Sequence, residues 1–166
     1  MLWKVVRKER LNKYRNLVTQ LNDLRKLKYE ILNKCGLKAY DYSKIKVTSG
    51  NGKKLTEQEQ AVLKVESLNE KIKKLEAEIS PDRDELEQQI NRVDGISNNW
   101  RHAECLRSYY LDGQEKRETA ILIYGDCNKK DVKNLNNLMD TALEILAKVS
   151  SSGFVEVEQR KIEDWE

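Results

Sequence analysis

At 166 residues the chain has room for one ordinary domain, or for a small domain carrying a helical arm. Charged residues at 36% against aromatics at 7% exclude a large aromatic core, and one proline with seven glycines argues against a turn-rich sandwich or barrel. The net charge of +3 is unevenly spread: ten bases face three acids in residues 1–34, and five acids face two bases in residues 154–166.

The opening MLWKVVRKER lacks the apolar core of a secretory signal, and no apolar run approaches the ~18 residues of a membrane span. A cytoplasmic location is therefore expected. The first helical stripe follows, with Leu11, Tyr14, Val18, Leu21, Leu24, Leu27 and Ile31 at steps of three and four, and Gly36 as its stop. Arg7, Lys8 and Arg10 on this segment are candidates for phosphate contact; a solvated face neutralised by the acidic segments fits the same residues.

Between Cys35 and Lys54 the pattern breaks. Five lysines (Lys38, Lys44, Lys46, Lys53, Lys54) and two tyrosines (Tyr40, Tyr42) surround a single acid, Asp41. Ordinary connections run about 4–6 residues, so this one is expected to be more than a linker. A second helix starts at Thr56, where Thr56 and Glu59 form a capping box, and runs through Val65, Leu68, Ile72, Leu75 and Ile79. Ser80-Pro81-Asp82 reads as a kink or restart, after which Leu86, Ile90 and Val93 continue the stripe. The two helices are expected to pair as an antiparallel, coiled-coil hairpin or to form part of a larger bundle in an oligomer, and to self-associate or dock on a partner, because a lone pair leaves leucines exposed.

After Asp94-Gly95 a denser apolar segment, from Trp100 to Leu111, ends at Asp112-Gly113. A short helix from about Glu115 to Tyr124, a turn at Gly125–Asn128 and a long helix through Val132, Leu135, Met139, Leu143 and Leu146 give the outline of a helix-turn-helix. The expected organisation is thus all-α: a helical hairpin arm over 1–94, a helix-turn-helix-like bundle over 95–149, and an acidic flexible tail over 150–166 with a short strand or partner-binding segment near Phe154–Val157.

Enzyme chemistry finds no foothold. His102 is alone, Cys35, Cys105 and Cys127 form no CxxC, and no phosphate-binding or nucleophile-elbow motif occurs. No metal or cofactor is expected, the thiols are expected to be reduced, and at least two cysteines should be small core residues. The long helix instead opens with Lys129, Lys130, Lys133, Asn134 and Asn137, which suit phosphates and adenine edges.

Read with its neighbours, LKAYDYSKIKVTSGNGKKL resembles the ArpU-like late-transcription regulators of Gram-positive phages, a sigma-factor-like family. The matching residues there are Ala39, Asp41, Tyr42, Ser43, Lys44, Lys46, Val47 and Ser49. Ile90-Asn91-Arg92, Tyr110-Leu111-Asp112-Gly113, Glu118, Ala120 and Ala142-Leu143-Glu144 extend the likeness across residues 10–146. The chain departs from the family at Lys116, at Thr119 and through Asp131–Asn137, where the family carries a more basic helix. The resemblance implies a non-enzymatic, dimeric, double-stranded-DNA-binding transcription regulator of a phage or prophage, acting in the host cytoplasm. The departures keep a second expectation open: an interaction protein that inhibits a host machine such as RNA polymerase or a defence complex.

Overall fold

The computed structural model describes the backbone of residues 2–36 and 56–163 and the side chains of residues 7–36 and 56–149. The chain is all-α, with no strand among the described residues. Helix α1 spans Leu2–Lys34, α2 Glu57–Ile96, α3 Arg101–Leu106, α4 Lys116–Tyr124 and α5 Lys129–Glu163, and α3 continues directly into a π-helical turn, Arg107–Leu111. The DYS segment that carries the resemblance lies outside the described residues. Helix α5 reaches Glu163, so the backbone near Phe154–Val157 is helical rather than a strand; the side chains of the acidic tail lie outside the described residues.

Local signals set most helix ends. The Thr56 hydroxyl accepts the Glu59 N–H at 3.2 Å while the Glu59 carboxylate accepts the Thr56 N–H at 2.8 Å, closing the expected capping box. Gly125 ends α4 at φ 81°, a left-handed conformation that glycine enters without steric penalty, and its N–H returns to the Ile121 carbonyl at 2.8 Å. The Asn128 side-chain oxygen then starts α5 by accepting the N–H groups of Lys130 and Asp131, each at 3.0 Å. Pro81 stands inside α2, which stays helical from Glu57 to Ile96, so no restart occurs there. Arg10 holds Asp82 and Glu85 on the turns that follow the proline.

Two compact units form, Met1–Val18 with Ser80–Glu166 (unit 1) and Thr19–Ile79 (unit 2). The helix-turn-helix-like segment thus shares a unit with the first half of α1 and the second half of α2. In unit 1 these halves run antiparallel: Arg7 Nη1 donates to Gln89 Oε1 at 2.9 Å, and Arg10 to Glu85 at 2.9 and 2.7 Å and to Asp82 at 2.8 Å. Helix α5 packs on α3 and α4. The core gathers Leu11, Tyr14, Leu86, Ile90, Leu106, Tyr110, Leu135, Leu143 and Leu146, all nearly inaccessible. Two buried hydroxyls, Ser108 and Thr119, bond to each other at 3.1 Å and tie the π-helical turn to α4.

Unit 2 has a simpler interior, with Leu21, Leu32, Val62, Val65, Leu68 and Ile72 buried and an Arg25–Glu76 ion pair at 2.7 Å on its surface. The α1 stripe does not follow the expected residues throughout. Leu27 is 45% exposed and Leu24 and Ile31 are half-buried, whereas Leu32 is buried. Three-residue steps from Leu21 to Leu24 and Leu27 rotate steadily off the seam, while a four-three continuation passes Arg25 and Lys28 and arrives at Leu32.

Candidate nucleic-acid interface

The first turns of α5 form the surface that the sequence singles out. Lys129, Lys130, Lys133, Asn134 and Asn137 are all exposed, while Leu135, Met139, Ala142 and Leu143 of the same helix are buried. This division follows from spacing. The lysines and asparagines recur at steps of three and four on the side of the helix opposite the apolar stripe, so packing that stripe turns them outward. The helix N-terminus adds partial positive charge. Asp126 and Asp131 oppose it from the same stretch, and Asp126 is engaged with the Cys127 N–H at 2.7 Å and the Asn128 amide at 3.1 Å.

The candidates on α1 divide. Arg7 and Arg10 face α2 rather than offering themselves to a phosphate. The hydrogen bond from Arg10 to Glu85 raises the guanidinium's pKa and holds the Glu85 carboxyl below the usual range, while burial together with the nearby Arg10 charge lowers that of Arg7. The reason is positional: α1 pairs with α2 along this side, so its bases meet acids and amides 72 to 82 residues away in sequence. Lys8 is exposed and stands near α5, lining a cleft with Asn136 and Asp140.

Other groups come to the same end of unit 1 without having been expected. Arg101, at the start of α3, lies 5.8 Å from the ring centre of Trp100 and 5.6 Å from that of Tyr124, the last residue of α4. Trp100 is 56% exposed, and Ile121 and Leu122 on α4 are 49% and 51% exposed. Their exposure had no sequence signature, because the same residues fit an apolar helix stripe.

Several motif positions prove structural. Ile90, Tyr110, Leu111, Ala120, Ala142 and Leu143 are buried, and Asn91 accepts a hydrogen bond from Arg107 at 2.6 Å. Arg15, counted among the bases of the amino-terminal segment, is an internal clamp: it donates to the carbonyls of Tyr109 at 2.9 Å and Gln114 at 3.0 Å. Of the cysteines only Cys105 is buried; Cys35 is half-buried and Cys127 is exposed on the α4–α5 turn, so the expectation of two core thiols fails. Burial pushes the Cys105 thiol up to about 12, which makes it an inert packing group. His102, half-buried, meets Ser97 Oγ through Nδ1. Among the described residues no group of histidine, cysteine or acidic side chains is placed to hold a metal ion, and no helix is long and apolar enough to cross a membrane. Comparison with family models, curated proteins and solved structures returns no match for the chain.

Proposed function

We propose that the chain is a DNA-binding transcription regulator of a phage or prophage that presents the amino-terminal turns of α5 to duplex DNA. The observation that carries this reading is the five-residue polar face of Lys129, Lys130, Lys133, Asn134 and Asn137, wholly exposed behind a four-residue glycine turn while the helix's other side is buried. The lysines would contact phosphates and the asparagines can pair with adenine edges in a major groove. The likeness of the sequence to ArpU-like regulators supports the same reading. Self-association through the α1–α2 pair belongs to it as well, supported by exposed Leu27, Tyr29 and Leu63, and light scattering of the purified protein tests that part.

Three lysines neutralising three phosphates give a logarithmic salt slope of about −3. Anisotropy titrations of duplex DNA at stepped salt should show that slope, and K129Q/K130Q/K133Q should flatten it and weaken binding more than tenfold at low salt. Duplex affinity unchanged in the triple variant would sink the reading. The second reading, an interaction protein acting on a host machine such as RNA polymerase or a defence complex, is favoured by the exposed Trp100, Ile121 and Leu122 beside Arg101. In that case Trp100→Ala would abolish capture of one stoichiometric partner while the lysine variant retains it.

A further inference from the structure

Helices α1, α4 and α5 and the π-helical turn enclose an open cleft of about 230 Å³ in unit 1. Its apolar floor includes Tyr109 and Met139, and its rim carries Lys8, Lys116, Asn136 and Asp140. The rim holds more donors than acceptors. Lys116 Nζ donates one proton to Asn136 Oδ1 at 2.9 Å, leaving two ammonium protons and the Asn136 amide protons, and Lys8 brings a second ammonium. Asp140 is the sole acid among the lining residues. A guest rich in acceptors and negatively charged answers that balance.

The floor is built with unusual backbone. A π-helical turn has an uncommon i→i+5 hydrogen-bond pattern and recurs at functional sites; here the Asp112 N–H reaches the Arg107 carbonyl at 3.0 Å. The turn delivers Tyr109 to the cleft. Arg15 locks it there, with its guanidinium carbon 4.2 Å from the ring centre in addition to its two carbonyl bonds, and Tyr110 meets the same ring edge-on at 4.9 Å. The α5 contact surface makes no use of this arrangement. In size, about 150 Å³ of apolar cavity admits benzene, so the cleft has space for one ring-sized body and an anionic group.

We propose that this cleft binds a small organic phosphate, its apolar body against Tyr109 and Met139 and its phosphate between Lys8 and Lys116. Two ammonium groups and an amide match the charge and the three acceptor oxygens of a phosphate monoester better than a carboxylate. A free metabolite and the terminal phosphate of a nucleic-acid strand share that chemistry, so the test separates them. Full-length protein is titrated with phenyl phosphate, inorganic phosphate, phenol and a 5′-phosphorylated duplex, read by thermal shift and by chemical-shift changes at Tyr109 and Lys116. A ligand that binds the folded state alone raises the melting temperature by mass action.

Phenyl phosphate is expected to saturate and to bind at least about fivefold tighter than inorganic phosphate or phenol. Lys116→Gln is expected to weaken it by at least about fivefold and Asp140→Asn to tighten it; both positions are exposed, and circular dichroism checks that each variant keeps the fold. Absence of saturation across the millimolar range overturns the proposal. So does an equal response to inorganic phosphate, indifference to Lys116→Gln, or a response to the duplex with none to phenyl phosphate.

Discussion

In unit 1 the α1–α2 pair is joined by α3, the π-helical turn, α4 and α5, and Leu11, Tyr14 and Leu86 fall to 2% exposure or less. In unit 2 the described residues are the same two helices without those additions, and Leu27, Tyr29 and Leu63 remain 45%, 66% and 41% exposed. The stripes are comparably apolar in both halves. What differs, among the described residues, is the number of elements that cover them: two helices can bury one seam each, and side chains that flank the seam need a third element. Unit 1 can therefore hold polar devices inside, such as the Ser108–Thr119 bond and the Arg15 clamp, whereas the fully buried residues described in unit 2 are aliphatic.

The largest expected effect tests that contrast directly. Leu106→Ala, at a fully buried position of unit 1, should cost about 3–4 kcal/mol in urea denaturation. Ile72→Ala in unit 2, 8% exposed, should cost about 2 kcal/mol because the two-helix seam can collapse around the gap. Equal losses would break the comparison. Hydrogen exchange offers a second reading: amides of α3 and of α5 up to Val149 should be protected more strongly than those of Thr19–Lys34.

A smaller effect concerns Tyr14, whose hydroxyl is buried with no hydrogen-bond partner in the structure. Burial raises this phenol's pKa, and the unpaired group is a cost within the core of unit 1. Tyr14→Phe should leave stability unchanged or raise it by up to about 1 kcal/mol. A marked loss would mean that the hydroxyl serves the core through a bound water, and the midpoint of urea unfolding decides.

The smallest effect is electrostatic. The hydrogen bond from Arg10 holds the Glu85 carboxyl below its ordinary range, so its contribution is present above the ordinary glutamate pKa of about 4.3 and is lost as pH falls through the folded value. Asp112 has the opposite sign: burial raises its pKa, so its contribution is present below the ordinary aspartate value and fades as pH rises through the folded one. Both carboxylates are about half exposed, which keeps each effect under about 1 kcal/mol. Glu85→Gln should flatten the acid limb of the stability profile of unit 1, and Asp112→Asn should steepen it; thermal melts between about pH 3 and 7, which bracket the ordinary carboxylate pKa values, read both.

Much of the scaffold was legible because helices announce themselves through local chemistry. The Thr56–Glu59 box, the Gly36 and Gly125 stops and the three-four stripe of Val65 to Ile79 need only neighbours within a turn or two, and each appears as read. The outward face at Lys129–Asn137 was legible for the same reason, since the apolar period of α5 fixes which side is left over. Three features were not. Arg10 pairs with Glu85 and Asp82, Arg15 clamps Tyr109 and Gln114, and Leu32 rather than Leu27 closes the seam of unit 2. Each depends on a partner 50 or more positions away or on accumulated helical rotation. By itself the sequence determined an all-α chain, several of its helix ends and the polar face of α5. Only tertiary packing decided which basic residues remain available to a ligand, because a guanidinium becomes a clamp or a contact according to what stands opposite it.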